Sequence, residues 1–332
     1  MVRVGVIGCG RIGRVHADAI AVHPRAELAA VYDPVEQAAL EVGTQFGAAW
    51  GTDVDAILTD PAIDAVVVAS PTPTHVDLLT RAVREGKAVL CEKPIDLDLA
   101  RVDACRAEIG ALTDRVMVGF NRRFDPSFRD IRTRVAAGEI GGLEQVVIIS
   151  RDPSPPPAGY VATSGGLFRD MTIHDFDMAR FFLGEVVEVT ATGSTLVSEE
   201  IAAAGDIDGA VVVLRGASGA LCSITNSRRC AFGYDQRLEA FGELGMLTAA
   251  NQLPTSVRFS GATQTEVAAP YHNFFLDRYT PAYRAEMDHF VTAVETGSVP
   301  SPGFGDGRAA LVLAEAANES LRTGSTVKVV EG

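Results

Sequence analysis

The sequence lacks any apolar run long enough to cross a membrane. Its longest apolar stretches, such as Ala65–Ala69 and Val146–Ile149, have the length of single strands, whereas a membrane-spanning helix needs about 20 residues. The first ten residues, MVRVGVIGCG, also lack the basic, apolar and small-residue regions of a secretion signal. We therefore expect a protein that stays in the cytoplasm and has no membrane partner.

Basic residues are scarce as well. The chain has 29 lysines and arginines against 43 aspartates and glutamates, which gives a formal net charge of −14. Binding to phosphate backbones depends on clusters of basic side chains. The charge therefore argues against nucleic acid and against an anionic membrane surface as partners, although an acidic balance by itself selects no function.

Cysteines are few and scattered. The five are Cys9, Cys91, Cys105, Cys222 and Cys230. Their odd number and the absence of CxxC spacing predict neither a disulfide framework nor a zinc site, and we expect no metal. We interpret them as small, buried or half-buried residues.

What the sequence does contain, over its first ~120 residues, is an alternation of strand and helix patterns. The predicted strands are Arg3–Ile7, Glu27–Tyr32, Ala65–Ala69, Ala88–Cys91 and Arg115–Gly119. The predicted helices are Ile12–Val22, Val35–Phe46, Thr74–Glu85 and Leu99–Ala111. Such an alternation indicates an α/β domain with a doubly wound parallel sheet, the Rossmann type, with helices on both faces.

After Gly141 the pattern changes to successive strands separated by short turns. The predicted strands are Leu143–Ser150, Val186–Thr195, Gly209–Arg215, Ala220–Asn226, Arg237–Phe241 and Met246–Ala250. Glycine-containing turns between them favour hairpins in an open mixed, mostly antiparallel sheet, an α+β arrangement. Helices are predicted at Gly166–Leu183, Ala282–Thr296 and Asp306–Arg322.

The domain boundary is predicted near residue 120. A chain of 332 residues is long enough for about two domains. We expect a nucleotide-binding domain at 1–120 and a substrate-binding and oligomerisation domain at 121–332. The pattern leaves open whether the C-terminal helices pack back on the first domain.

A glycine-rich turn follows the first strand directly. Gly8, Gly10 and Gly13 form GxGxxG between a strand and a helix, where they permit a tight turn, a close approach of pyrophosphate and close helix–strand packing. Asp33 ends the second strand 20 residues after Gly13, the usual place of the acidic residue that binds the ribose hydroxyls. Its charge, followed by Pro34 rather than an arginine, favours NAD over NADP. The alternative is a plain turn with Asp33 as a strand-end acceptor.

Other cofactor contacts are expected at neighbouring strand ends, because ligands bind at the carboxyl edge of parallel sheets. They are Arg11 and Ile12 in the glycine turn, Ser70, Pro71, Thr72 and His75 after the strand Ala65–Ala69, and Glu92 and Lys93 after the strand Ala88–Cys91. The alternative for the second group is structural, with Thr74 capping a helix and His75 lying in its first turn.

Three residues are candidates for the reaction itself. Lys93 lies at a strand end beside Pro94, where its ammonium group can bind a hydroxyl and stabilise a forming alkoxide. Asp170 and His174 are four residues apart and so share one face of a predicted helix. A histidine beside a carboxylate can remove a hydroxyl proton. The alternatives are an N-terminal helix residue for Asp170 and a packed core residue for His174.

The segments GCGRIG, EKP, GFNRRFDP, RDPSPPP and GGLFRDMTIHDFDMARF resemble the glucose–fructose oxidoreductase/inositol dehydrogenase (Gfo/Idh/MocA) family. The last three are similar to its inositol 2-dehydrogenase branch. The resemblance implies homotetramers that use the face of the second sheet. It also implies a Lys93–Pro94 bond that is often cis.

The same resemblance implies roles for individual residues. It implies that Lys93, Asp170 and His174 form the catalytic trio, with His174 as the base. The residues expected to contact substrate hydroxyls are Arg123, Tyr234 and, with weaker support, Asp152.

The implied activity is NAD-dependent oxidation of a ring hydroxyl of a cyclic polyol. The preferred substrate is myo-inositol, with 2-keto-myo-inositol as product. One alternative is an aldose dehydrogenase of the same family, acting on glucose or xylose. Another is a non-catalytic NAD-dependent sensor, although a sensor has no need of the catalytic trio.

Overall fold

The computed structural model describes residues 1–329 and is dominated by two sheets. The strands are β1 Val2–Ile7, β2 Ala26–Tyr32, β3 Ala49–Gly51, β4 Ala65–Val68, β5 Ala88–Cys91, β6 Val116–Val118, β7 Leu143–Arg151, β8 Val186–Ser194, β9 Gly209–Gly216, β10 Leu221–Ser227, β11 Asp235–Gly242, β12 Gly245–Ala249, β13 Arg258–Phe259, β14 Val267–Ala268 and β15 Val327–Lys328. The helices are α1 Arg11–Ala21, α2 Glu36–Phe46, α3 Asp55–Leu58, α4 His75–Arg84, α5 Leu99–Ile109, α6 Pro126–Ala136, α7 Ala158–Val161, α8 Leu167–Asp170, α9 Thr172–Leu183, α10 Glu199–Ala203, α11 Phe275–Thr296 and α12 Phe304–Thr323.

The chain forms two compact units. The first comprises Met1–Phe124 and Thr280–Leu311, and the second comprises Asp125–Tyr279 and residues 312–329. The predicted division into 1–120 and 121–332 stays a prediction, and its last three residues, 330–332, lie outside the described part of the chain.

The first unit contains a parallel sheet in the order β3-β2-β1-β4-β5-β6. Strand β4 is fully buried along its length, as expected of a strand covered on both faces. Its register aligns the last residues of five strands: Ile7 pairs with Tyr32 and Val68, Val68 with Cys91, and Cys91 with Val118. The segments after these strands therefore leave from one common edge of the sheet.

The second unit contains a sheet in the order β12-β11-β7-β10-β9-β8-β15. Its neighbouring strands are antiparallel except for β7 and β10, which run parallel. The hairpins β9–β10 and β11–β12 form at the predicted turns. The predicted fold class, a Rossmann sheet followed by a mixed, mostly antiparallel sheet, is confirmed.

The prediction of one helix over Gly166–Leu183 is wrong in one respect. The segment forms two helices, α8 and α9, which meet at Met171. The buried hydroxyl of Thr172 lies 3.4 Å from the Leu167 carbonyl oxygen and donates to the Asn226 side chain at 2.7 Å. A threonine hydroxyl bonded to a preceding carbonyl competes with regular helix geometry. Asp170 and His174 consequently lie on two different short helices, not on one helix face.

Other elements differ from the predicted ones or were not predicted. Helix α11 begins at Phe275, before the predicted Ala282, and continues through Pro281. Helix α6 was not predicted, although Asp125 accepts from the Ser127 and Phe128 amides at its start. No helix in residues 1–329 is long and apolar enough to span a bilayer.

Candidate active site

Two glycines of the glycine turn in the first unit, Gly8 and Gly13, are required by close packing within the turn itself. Gly8 has φ +102°, and a Cβ there would lie 2.7 Å from the backbone of Ala69 and Ser70. A Cβ on Gly13 would lie 1.8 Å from the Gly8 carbonyl oxygen. Any side chain at either position would therefore force the turn apart from the strand or the helix.

Gly10 differs from its neighbours in this turn. A Cβ built on Gly10 meets no described atom within 4 Å, and its φ of −70° suits any residue. Gly10 also caps α1 without a side-chain hydrogen bond, and the first turn of that helix has no acidic residue. The open backbone amides at a helix N-terminus are suited to phosphate. The turn therefore fits the pyrophosphate of a dinucleotide.

Asp33 is tied to the same turn. Its Oδ2 accepts from the Cys9 amide at 2.8 Å, and its Oδ1 accepts from the Val35 amide at 2.9 Å. Burial, and secondly the charge of Asp33, raise the pKa of the Cys9 thiol to about 11. The half-buried carboxylate keeps further lone pairs available. Asp33 is thus a strand-end acceptor, and its contact with ribose hydroxyls stays a prediction.

The loop after β4 is held by His75. This side chain is buried, its Nδ1 lies 2.8 Å from the Pro94 carbonyl oxygen and its Nε2 lies 2.8 Å from the Ser70 carbonyl oxygen. His75 therefore joins the loop after β4 to the loop after β5. Direct contact of Ser70, Pro71, Thr72 or His75 with the cofactor stays a prediction.

The EKP segment follows β5 at the shared sheet edge. The Lys93–Pro94 bond is cis, in agreement with the resemblance. Lys93 is half-buried, whereas Glu92 is buried, with its Oε1 2.7 Å from His16 Nε2. A Cβ on Gly119 would lie 3.0 Å from the Glu92 carboxyl carbon. Glu92 is therefore packed inside the first unit, where it contacts His16 and Gly119.

Arg123 also belongs to the first unit. Its side chain is buried and its Nη2 donates to Asp306 Oδ1 at 3.0 Å. The other oxygen of Asp306 accepts from the Gly303 amide at 2.9 Å. The guanidinium group is thus positioned by an ion pair, and its predicted contact with substrate stays a prediction.

In the second unit, Asp170 and Asp152 converge on one guanidinium group. Arg228 Nη2 donates to Asp170 Oδ2 at 2.8 Å, and its Nη1 lies 3.4 Å from Asp152 Oδ2. The Tyr160 hydroxyl donates to the other oxygen of Asp170 at 2.8 Å. Sequence reasoning missed Arg228 and Tyr160. Arg228 lies beside Asp152 because β7 and β10 pair in parallel. The hairpin pattern of the sequence does not reveal this pairing.

The helix that carries His174 is anchored on the second sheet. Asn226 of β10 donates to the buried Asp175 carboxylate at 2.8 Å, and its side-chain oxygen accepts from Thr172. Thr172 and Asp175 flank the half-buried His174 on either side. Buried hydrogen bonds of this kind fix the position of a helix. Asn226 was not predicted as part of the site.

Tyr234 is buried in the same unit. Its ring contacts Tyr279 edge-on, with 5.9 Å between the ring centroids, and its amide donates to the His272 carbonyl at 2.8 Å. The structure thus brings Asp152 and Asp170 together around Arg228. It places Lys93 in the first unit, and Asp170, His174 and Tyr234 in the second.

Two family descriptions match this chain. Residues 2–120 match the family described as "Oxidoreductase family, NAD-binding Rossmann fold", and residues 128–248 match "GFO/IDH/MocA C-terminal domain". The predictions of an NAD-binding Rossmann fold and of an oxidoreductase are confirmed.

Individual relatives are similar over nearly their whole length. The solved structure of a myo-inositol dehydrogenase from Corynebacterium glutamicum has a TM-score of 0.98 and 53% identity, covering 100% of both chains. The inositol 2-dehydrogenase of Rhizobium meliloti is 49% identical over 96% of this chain and 97% of the relative. The scyllo-inositol dehydrogenase of Lactobacillus casei, solved with NAD(H) and scyllo-inositol, has a TM-score of 0.90 and 28% identity over 99% of both chains. The chain therefore belongs to the Gfo/Idh/MocA family of oxidoreductases.

Proposed function

We propose that this chain is an NAD-dependent inositol dehydrogenase that oxidises myo-inositol to 2-keto-myo-inositol. The observation that carries the proposal is the full-length similarity to the Corynebacterium myo-inositol dehydrogenase, at a TM-score of 0.98 and 53% identity. The chemistry of the candidate residues agrees with it, because oxidation of a ring hydroxyl needs a base, a group that polarises the hydroxyl and a bound hydride acceptor.

The glycine turn and Asp33 are the proposed holders of the cofactor. The amides at the start of α1 would bind the pyrophosphate, and Gly10 leaves room for it. The carboxylate of Asp33 would accept from the ribose hydroxyls and would repel the additional phosphate of NADP. Arg11, Ile12 and the segments after β4 and β5 complete this proposed set. The bound nicotinamide supplies the acceptor for the hydride that leaves the reacting carbon.

Three side chains act on the reacting hydroxyl in this proposal. His174 takes the hydroxyl proton, since a neutral imidazole is a suitable base near neutral pH. The Lys93 ammonium donates to the same oxygen and stabilises negative charge as the proton leaves. Asp170, whose oxygens are engaged by Arg228 and Tyr160, fixes the orientation of the hydroxyl.

Recognition of a polyol requires several further hydrogen-bonding groups. Arg123, Asp152 and Tyr234 are proposed for this role. Arg123 and Tyr234 are buried and Asp152 is half-buried. A site built to bond hydroxyls discriminates strongly against analogues that leave buried polar groups unpaired.

The test is NADH formation, followed by absorbance, with a panel of myo-inositol, scyllo-inositol, glucose and xylose. Of these four compounds, we expect an inositol to give the highest kcat/KM. A preference for glucose or xylose would make the chain an aldose dehydrogenase instead. Binding of NAD without turnover of any polyol or sugar would make it a sensor.

We further propose a cytoplasmic homotetramer. The five cysteines are all free and buried, which suits a reducing compartment. One face of the second sheet exposes apolar side chains at Val211 (46%), Val213 (45%), Phe241 (40%) and Met246 (53%). Apolar side chains grouped on one face favour association. Light scattering should give a tetramer for the wild type and smaller species for Val213→Asp, and a wild-type monomer would contradict the proposal.

A further inference from the structure

We propose that Arg228 is a positioning residue that holds the Asp170 carboxylate in its ionised form and in a fixed orientation. The inference rests on the proposed function, in which Asp170 binds the reacting hydroxyl. It assigns a role in this reaction to a residue that does not itself touch the hydroxyl. It also explains why a charged side chain is kept inside the second unit.

Arg228 is almost fully buried, with 4% of its surface exposed. Its Nη2 donates to Asp170 Oδ2 at 2.8 Å, its Nη1 faces Asp152 at 3.4 Å, and its amide donates to the Asp208 carbonyl at 2.7 Å. Burial of a charge is costly unless it is paired. The two carboxylates therefore account for the presence of this cation in the interior.

The sheet register explains how two distant segments meet at this cation. Strands β7 and β10 run parallel, with Arg151 paired to Ser227. Asp152 and Arg228 are the first residues after these two strands, and the Asp152 amide donates to the Ser227 carbonyl at 2.9 Å. Both side chains leave the same end of the sheet, so the backbone itself brings the arginine beside the carboxylates.

The charges around Asp170 come from several elements. Arg228 faces it from the end of β10 and the Tyr160 hydroxyl faces it from α7. On its own helix, Arg169 is paired with Glu315 of α12 at 2.6 Å. The guanidinium of Arg228 thus places a positive charge within hydrogen-bond distance of the Asp170 carboxylate.

Arg228 also balances more than one negative charge. Burial by itself lowers the pKa of Arg228. The nearby carboxylates outweigh this effect and raise the pKa above its ordinary value; Asp170 contributes most, then Asp152, and Asp206 least. Asp206 itself accepts from the Leu167 amide at the start of α8, at 3.1 Å. Without the cation, three carboxylates would repel one another in a poorly solvated place. Protonation of Asp170 would then be favoured.

Orientation is the second effect. Both oxygens of Asp170 are engaged, one by Arg228 and the other by Tyr160. A carboxylate held at both oxygens cannot rotate freely, so its remaining lone pairs have fixed directions. Loss of Arg228 would therefore reduce both the ionised fraction of Asp170 and the fraction that is correctly oriented.

The experiment is the pH profile of kcat/KM for Arg228→Met and Arg228→Lys with NAD and myo-inositol. For Arg228→Met we expect the ionisation of Asp170 to join that of His174 on the acid limb, which then becomes steeper and moves to higher pH. The reason is that loss of an opposite charge within hydrogen-bond range raises a carboxyl pKa by about 1–3. Activity should fall at neutral pH and recover in part at high pH. Arg228→Lys should keep the limb close to that of the wild type with a lowered kcat.

Controls separate a positioning role from a structural one. Arg237→Met removes another Arg–Asp pair of the same sheet and should leave the profile unshifted. Guanidinium ion at a sub-denaturing concentration should restore part of the activity of Arg228→Ala. An Arg228→Met profile parallel to the wild type would overturn the inference. If Arg228→Met does not fold, the test rests on Arg228→Lys. A wild-type kcat for Arg228→Lys would overturn the inference, whereas a lowered kcat with an unshifted acid limb would support it.

Asp170→Asn distinguishes this inference from the proposed function. Full activity of Asp170→Asn would mean that the assignment of Asp170 has failed, and with it the role of Arg228. An inactive Asp170→Asn together with an unshifted Arg228→Met profile would mean that only the role of Arg228 has failed.

Discussion

The Oε1 of Glu92 lies 2.7 Å from Nε2 of His16, so the carboxylate beside the proposed catalytic lysine is bonded to a fully buried imidazole. The ring of His16 in turn contacts Tyr283 edge-on, with 5.6 Å between the centroids. Glu286, one turn further along α11, is also fully buried. Among residues 1–329, neither of its carboxyl oxygens has a hydrogen-bond partner. This arrangement predicts a pH dependence of stability.

Burial, and secondly the charge of Glu92, raise the pKa of Glu286 well above its ordinary value. Because the folded-state pKa exceeds the unfolded one, the contribution of Glu286 is complete below about pH 4 and is lost as the pH rises toward the folded pKa. Glu286→Gln should therefore become more stable relative to the wild type as the pH rises, by up to ~1.4 kcal/mol per pH unit. Urea unfolding at pH 5 and pH 8 measures this difference.

Glu185→Gln, at an exposed position, is the matched control for that series. Its stability relative to the wild type should be the same at both pH values. If the difference between Glu286→Gln and the wild type were also constant, Glu286 would not be held in its neutral form.

The two glycines Gly10 and Gly13 should respond oppositely to alanine. Gly10→Ala meets no described atom within 4 Å, so it should cost less than about 1 kcal/mol of stability but raise the KM for NAD. Gly13→Ala places a methyl group 1.8 Å from the Gly8 carbonyl and should cost about 3 kcal/mol. Thermal unfolding and NAD titration separate the two effects. If a folded Gly10→Ala variant bound NAD with unchanged affinity, the proposal that the pyrophosphate binds at this turn would be wrong.

Replacement of Asp33 tests the choice of cofactor. Asp33→Asn keeps an oxygen that can accept from the Cys9 amide, a bond of 2.8 Å in the wild type, but removes the negative charge. We expect the KM for NAD to rise about tenfold, as for loss of a charge-assisted hydrogen bond, and the preference over NADP to weaken. Initial rates with both cofactors measure this, and an unaltered ratio of their kcat/KM values would contradict the role of Asp33.

His174→Ala tests the proposed base. Its kcat should fall by about 10²–10⁴-fold, because this is the usual contribution of general base catalysis, while NAD affinity stays unchanged. His23→Gln, which removes the contact of a nearly buried histidine with the exposed Asp288, serves as the control and should retain full turnover. Near-normal kcat in His174→Ala would assign the base to another group.

Much of this molecule follows from local sequence patterns. The GxGxxG turn, Asp33 and the apolar strands predict the first sheet, because close packing at Gly8 and Gly13 and burial of β4 are local requirements. Side chains joined across the fold are not predictable in this way. Arg228 reaches Asp170 across 58 positions, and the parallel pairing of β7 with β10 brings Arg228 beside Asp152 as well.

The break at Met171 shows a second limit. Apolar spacing over Gly166–Leu183 predicts one helix, because periodicity takes no account of the hydroxyl of Thr172. That hydroxyl bonds the Asn226 side chain at 2.7 Å, which is a tertiary interaction. The sequence therefore predicts which side chains are catalytic candidates, but it does not predict the tertiary hydrogen bonds that hold their helices in place.

The most direct test of the proposed activity uses myo-inositol labelled with deuterium on C2. The enzyme is incubated with this substrate and NAD, and the reduced cofactor is analysed by mass spectrometry. We expect NADH carrying one deuterium together with 2-keto-myo-inositol. Unlabelled NADH, or no reduced cofactor under conditions where the protein binds NAD, would contradict it.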